Sequence, residues 1–346
     1  MGQLATCGSG DACSTSNPQC LPATCVPVPA PVKIEPVLVG HTADVFSCTV
    51  SPKGGNLVSG SWDCALRVWD LTTLKCVREV EAHENYIFAA VFSPDGKVLA
   101  TCSRDRTVRI RQAQSLQCTV VLKGHRDAVF CCVFTPDGFH LVTGSWDRTL
   151  RVWSTEIWET VTILEGHQTD IYACAIHPNG QHLVSAGRGG QLRLWATATW
   201  TYRRALTGHT DFVHCAAFAP SGEYLLSGSR DRGIRVWDPT DWGDVRELRK
   251  HAQGVMCVAW TGDSGLFASG SGDKKVVLWC GKTFACLWTF AGHVNEVTSL
   301  VFLPDRRLIS ASRDHTLRVW TLPKLPEDEG EGEVVRAGVK GQQLPW

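Results

Sequence analysis

The stretch GHRDAVFCCVFTPDGFHLVTGSWDRTLRVW, residues 124–153, contains three strands and the signals that separate them. Residues 128–134 are apolar and read as a first strand. Pro136, Asp137 and Gly138 supply a turn, because proline fixes φ and glycine tolerates positive φ. Residues 140–144 read as a second strand. Ser145, Trp146 and Asp147 form a tight turn into a third, residues 149–153, where Leu150 and Val152 alternate with Arg151 as a half-buried strand requires. Residues 160–164, before the next Gly-His, make a fourth.

The same text recurs along the chain, for example as GHTDFVHCAAFAPSGEYLLSGSRDRGIRVW over residues 208–237. Histidines stand at 41, 83, 125, 167, 209, 251 and 293, a constant step of 42 residues. A four-stranded unit cannot bury both faces alone, so its copies must stack. A period near this length with Gly-His and Trp-Asp signatures predicts radial blades. The expectation is an all-β, seven-bladed β-propeller of four-stranded antiparallel blades. No window shows sustained helical periodicity, and no βαβ alternation appears.

This pattern resembles the WD-repeat family over roughly residues 36–321. The resemblance implies a structural tetrad in each copy: a His between blades, a Ser or Thr on the second strand, an Asp in the next turn and a Trp ending the third strand. Those positions are His41, Ser59, Asp63 and Trp69 in copy one, and His125, Thr143, Asp147 and Trp153 in copy three. Copies five, six and seven supply His209, Ser227, Asp231 and Trp237; His251, Ser269, Asp273 and Trp279; and His293, Ser310, Asp314 and Trp320. Asp would orient the imidazole, which bridges to the hydroxyl and then the indole N–H, so that buried polar atoms are satisfied. Copy two has Arg111 at the Trp position, and copy four has Gly189 at the Asp position. Both blades are expected to be locally looser.

Copy seven ends at Trp320, while a fourth-strand pattern over residues 36–39 precedes the first Gly-His with no blade before it. The N-terminal segment is therefore expected to supply the outer strand of the last blade and close the ring, leaving no large exposed sheet edge. The expected domains are a Cys/Pro-rich disordered leader over residues 1–31, the propeller over 32–322, and an acidic Gly-rich disordered tail over 323–346.

Lys plus Arg equal Asp plus Glu at 34 each, so net charge gives no reason to expect nucleic-acid binding. No apolar run approaches the length of a membrane-spanning helix, and no signal-peptide core follows Met1. Cys131, Cys215 and Cys257 share one column of the repeat with Ser47 and Ser299, so the 16 cysteines read as small packing residues in a reduced, cytoplasmic compartment. No metal site or cofactor is expected. The start MGQLATC fits an N-myristoylation pattern at Gly2, with Cys7 available for palmitate, so membrane association would require acylation.

No Gly-x-Ser-x-Gly, Walker loop or His-Glu-x-x-His occurs, and the seven histidines have structural roles in separate blades, so the chain is read as non-catalytic. Function must come from a surface. The resemblance implies partner binding on the rim that carries the Asp turns, where Trp62, Arg104, Trp146, Arg188, Arg230 and Arg313 precede the Asp position and Arg106, Arg148 and Arg232 follow it. Trp and Arg are enriched at binding hot spots. The expected activity is that of a protein-protein interaction scaffold, a subunit of a larger complex that binds acidic or phosphorylated peptides. Pairing of these arginines with Asp44, Glu84, Asp127, Asp170, Asp211 and Glu296 on the same rim is the competing reading. A ubiquitin-ligase substrate receptor is an alternative, weakened because Trp69-Asp70-Leu71-Thr72 and Trp237-Asp238-Pro239-Thr240 lack the Arg of the adaptor-binding motif. Trp158, Trp200 and Trp242 are expected on the opposite rim, packing against outer strands.

Overall fold

A computed structural model describes residues 34–52 and 54–323. The leader and nearly all of the acidic tail, with Gly2 and Cys7, lie outside the described residues. Strands are numbered β1 to β28 in chain order, and they form seven four-stranded antiparallel sheets with no helix among the described residues. In the third blade β10 (Val129–Phe134), β11 (His140–Ser145), β12 (Leu150–Ser154) and β13 (Thr160–Leu164) pair in sequence order. The burial pattern follows from the residues: β11 is almost wholly buried between two neighbours, whereas β13 is mostly exposed.

The last sheet breaks the sequence order. Its order is β1 (Ile34–Val39), β28 (Thr316–Thr321), β27 (Arg307–Ser312) and β26 (Val297–Phe302). β1 runs antiparallel to β28, with Val37 opposite Arg318 and Val39 opposite Thr316. Leu38 from this strand is 2% exposed and packs in the core shared by the last blade and the first. The innermost strands contact one another all the way round, β26 meeting β2 (Val45–Val50).

Apolar residues form one core between each pair of adjacent blades, so each blade is stabilised by both neighbours. Close approach between the two innermost strands of a blade requires glycine. A Cβ on Gly144, Gly228 or Gly270 would come within 2.7, 2.6 and 2.6 Å of the sulfur of Cys131, Cys215 or Cys257. Burial pushes the Cys215 thiol up to about 12, which keeps it protonated and unreactive.

The tetrads are hydrogen-bonded in the five complete copies. In the fifth, Trp237 Nε1 donates to Ser227 Oγ at 2.9 Å, His209 Nε2 lies 2.8 Å from that hydroxyl, and His209 Nδ1 lies 2.8 Å from Asp231. A neutral imidazole protonated at Nδ1 lets each group donate once: indole to hydroxyl, hydroxyl to Nε2, and Nδ1 to carboxylate. In the first copy burial alone would raise the Asp63 carboxyl, but hydrogen bonds from His41 and the backbone hold it at about 2.

Blade two departs from the expectation of looseness. Arg111 fills the Trp site at 3% exposure and donates to the carbonyl oxygens of Leu116 at 2.8 Å and Ala82 at 2.5 Å. His83 still lies 2.8 Å from both Asp105 and Thr101. The guanidinium thus takes the volume of the indole and finds backbone acceptors in place of the hydroxyl.

Candidate functional site

The first strand of every blade places one side chain at the mouth of the central channel, in a column not singled out by the sequence analysis: Phe46, Phe88, Phe130, Tyr172, His214, Met256 and Thr298. Each follows the one before by the repeat period, so four neighbouring blades contribute Phe or Tyr rings, the fifth an imidazole, and the last two Met256 and Thr298. Phe88 and Phe130 have centroids 4.8 Å apart, and Phe46 meets Phe88 edge-on at 5.7 Å. The signal was present as a periodic aromatic slot immediately before the small Cys/Ser column.

These rings floor a cavity of about 670 Å³. Its wall is built from the Asp turns, which bring Trp62, Arg104, Trp146, Arg230, Arg232 and Arg313 to one opening. Gly272 takes the corresponding place in blade six, where the absence of a side chain leaves the wall low. Arg106, Arg148 and Arg188 are exposed but do not line the cavity. Arg106, Arg148 and Arg232 follow the turn Asp with φ of 70°, 70° and 73°. This left-handed conformation is sustained by turn hydrogen bonds such as Arg106 N–H to Ser103 O.

The tryptophans are packed more deeply than turn tips need be. Trp62 is sandwiched between Phe46 at 5.0 Å and Tyr86 at 4.6 Å, nearly parallel to both. Trp146 lies over Phe88 and Phe130 at 5.5 and 6.0 Å. Their indole N–H groups are buried without a hydrogen-bond partner among the described residues. These two residues are therefore part of the mouth's framework, and replacing them would disturb its packing.

The arginines divide into two groups. Arg188, Arg230 and Arg313 face carboxylates: Asp170 at 3.8 Å, Asp211 at 4.0 Å, and Glu296 at 3.2 Å with Asp44 at 3.7 Å. The exposed pairs of Arg188 and Arg230 contribute little, whereas Arg313 and its two carboxylates are half-buried. Arg188 and Arg230 also lie 4.9 and 5.3 Å from the Phe212 ring. Arg104 and Arg232 line the cavity and have no carboxylate partner among the described residues; Arg104 lies 5.2 Å over Tyr86. Burial, reinforced by Arg230, pushes His214 down to about 4, so it is neutral at pH 7. The lining therefore carries four arginines against the single carboxylate of Glu296, above an aromatic floor.

On the opposite rim, Trp242 is 8% exposed and meets His182 and Phe218 edge-on, while Trp200 packs on His140 at 5.5 Å. Trp158 packs against the core between blades two and three. Trp242 is buried, and Trp158 and Trp200 are half-buried, each packed against the core between two blades.

Comparison with known proteins gives short matches to relatives. Forty-six residues are 46% identical to Striatin-3 of Homo sapiens, covering 13% of this chain and 6% of that protein. Sixty-four residues are 39% identical to the ribosome biogenesis protein BOP1 homolog of Drosophila melanogaster, covering 16% of this chain and 8% of that protein. The chain thus spans less than a tenth of the length of these relatives. The family model for the WD domain, G-beta repeat, matches seven times, at residues 33–70, 74–111, 116–154, 158–196, 200–238, 242–280 and 284–321. Each match begins with the outer strand of one sheet and ends with the third strand of the next, and the first begins with β1. Seven matches that tile the whole propeller and coincide with its strands place this chain in the WD-repeat family.

Proposed function

We propose that this protein is a non-catalytic interaction scaffold whose aromatic mouth holds a segment of a partner protein. WD-repeat propellers typically serve as protein-interaction scaffolds. The observation that carries the reading is the pairing of an aromatic floor with the guanidinium groups of Arg104 and Arg232, which have no carboxylate partner among the described residues. An apolar side chain entering among Phe46, Phe88 and Phe130 would lose its contact with water. Acidic or phosphorylated groups flanking it would accept charge-assisted hydrogen bonds from Arg104 and Arg232. Affinity purification with the Arg104→Glu/Arg232→Glu double variant tests this, with Arg106→Glu/Arg148→Glu, outside the cavity, as the control. The first variant should lose the main partner and the second retain it. Equal capture by both would show that partners bind elsewhere.

A second reading concerns location. The start MGQLATC supports acylation at Gly2 and Cys7. A single myristoyl chain gives only marginal attachment, so stable tethering would need Cys7 as well. Labelling with a myristate analogue should mark the wild type and not Gly2→Ala. An unlabelled wild type leaves a scaffold without this anchor.

A further inference from the structure

Five residues beyond the tetrad Trp position, each of the first six copies carries a large apolar side chain: Leu74, Leu116, Trp158, Trp200, Trp242 and Phe284. All six have positive φ, between 53° and 63°, in the turn leading to the outer strand. That conformation is costly for such residues and persists only where packing demands it. The packing is the same each time. Each side chain wedges into the core between its own blade and the preceding one, from Leu74 between blades seven and one to Phe284 between blades five and six.

The core between blades six and seven has no such wedge among the described residues. Where Tyr224 meets Phe284 edge-on at 5.1 Å, the corresponding Leu266 instead borders a groove of about 940 Å³. Trp260, Leu287, Phe302, Leu303 and Leu322 complete its apolar lining. The reason lies in the chain order. In the other blades the chain turns after the third strand and continues as the outer strand, whereas in blade seven β1 already occupies that place.

The seventh member of the column is nevertheless written in the sequence. Five residues after Trp320 stands Leu325, two beyond Pro323, where the described residues end. The chain approaches the groove as the other copies do. Leu322 N–H donates to Arg306 O at 3.0 Å, as Gly281 N–H donates to Gly265 O at 2.8 Å in blade six. Arg306 Nη2 in turn donates to Pro323 O at 3.0 Å. Leu322 and Arg306 both line the groove, and two further residues reach about 7 Å.

We propose that Leu325 seats in this groove as the seventh wedge, so that the seam of the ring is covered on this rim by the segment following β28. Charge favours this occupant over the N-terminal leader. Lys282 and Arg306 line the groove against the one carboxylate of Asp263, and Glu327, Asp328 and Glu329 follow Leu325, whereas residues 22–32 carry no acidic group. Pro326 disfavours the left-handed turn used by the other six copies. No outer strand has to follow here, so an extended backbone can deliver the side chain.

The test compares full-length wild type, Leu325→Asp and Leu325→Trp by amide hydrogen exchange and thermal melting. Leu325→Asp should speed exchange several-fold in residues 260–266 and 302–306 and lower the melting temperature by roughly 2–4 °C. Leu325→Trp should keep the wild-type protection, since three other copies carry Trp in this column. If Leu325→Asp changes neither quantity, the assignment is overturned. It is equally overturned if deleting residues 1–31 exposes those segments, which would make the leader the occupant, or if they exchange freely in the wild type, which would leave the groove for a partner protein.

Discussion

Blades four and five have the same fold, and their tetrads differ at one carboxylate. In blade five Asp231 accepts hydrogen bonds from His209, from Thr210 N–H at 3.1 Å and from Gly233 N–H at 2.8 Å. It ties the Gly-His loop to the turn across the rim. In blade four Gly189 stands in its place, and His167 Nδ1 has no partner among the described residues. The other limb is unchanged, with His167 Nε2 2.7 Å from Ser185 and Trp195 Nε1 donating to Ser185 at 2.8 Å. The carboxylate therefore joins loop to turn and is not needed to assemble the Trp–Ser–His limb. Its loss is felt by the histidine: His209 is 7% exposed and His167 lies less deeply. Burial, with Arg193 adding to it, pushes His167 down to about 3, whereas Asp231 offsets part of the same effect on His209.

If blade four is loose for want of one residue, a blade that loses a strand should fare far worse. Deleting residues 1–40 removes β1, its pairing with β28, and Leu38 from the core between blades seven and one. Truncating a buried leucine alone costs about 2–5 kcal/mol, so this deletion should abolish or severely lower the cooperative thermal transition. Deleting residues 1–31 leaves the strand and should not. Coincident melting curves for the two proteins would mean that the ring is held without β1.

Asp231→Ala turns blade five into a second blade four. It strands the ring nitrogen of a buried imidazole and two backbone N–H groups, and should cost about 1–3 kcal/mol in a denaturant titration. A neutral result would show that the rim ties are energetically idle.

This contrast also shows how far the sequence could be read. Strand positions, the seven-fold repeat and the tetrads were legible because each depends on residues a fixed distance apart, which a period of 42 exposes. The consequence of Arg111 was not legible. Whether a guanidinium in an indole site is loose or held depends on the carbonyl oxygens of Ala82 and Leu116, and backbone acceptors leave no mark in the sequence. The rim was read only partly. Trp62 and Trp146 could be placed on it, but their depth came from stacking on Phe46, Tyr86 and Phe130, residues of neighbouring strands and blades. Which arginines remain unpaired is likewise a matter of tertiary distance.

Gly189→Asp runs the comparison in reverse. A Cβ at this position would meet Thr169 Oγ1 at 3.5 Å, an ordinary contact, so the carboxylate can be introduced without clash. The expected gain is about 0.5–1.5 kcal/mol, the net value of a typical hydrogen bond. The pH dependence identifies its source. In the wild type the folded pKa of His167 lies below its ordinary value, so the unfolded chain binds a proton that the folded one refuses. Stability therefore falls as the pH drops through the ordinary histidine range. A facing carboxylate raises the folded value and removes part of that loss. The stability difference between variant and wild type should widen on moderate acidification and shrink again once the new carboxyl protonates. A difference independent of pH would place the gain elsewhere than at His167.

The smallest effect is expected where a departure from the tetrad has already been compensated. Arg111→Trp would complete the tetrad of blade two, letting an indole N–H donate to Thr101 Oγ1 as Trp153 donates to Thr143 at 2.9 Å. The change gives up the two hydrogen bonds from the guanidinium to Ala82 and Leu116. It also removes a buried cation whose pKa burial lowers and which has no carboxylate partner among the described residues. Replacing buried charge by a well-packed apolar group is commonly neutral or stabilising, so the two contributions should nearly cancel, within about 1 kcal/mol. Arg111→Ala provides the contrast, because it loses the hydrogen bonds and leaves a cavity, and it should cost about 2 kcal/mol or more. Denaturant midpoints for the two variants separate the cases. If Arg111→Trp proves as damaging as Arg111→Ala, the guanidinium has a role that the indole cannot fill, and blade two is specialised where blade four is merely incomplete.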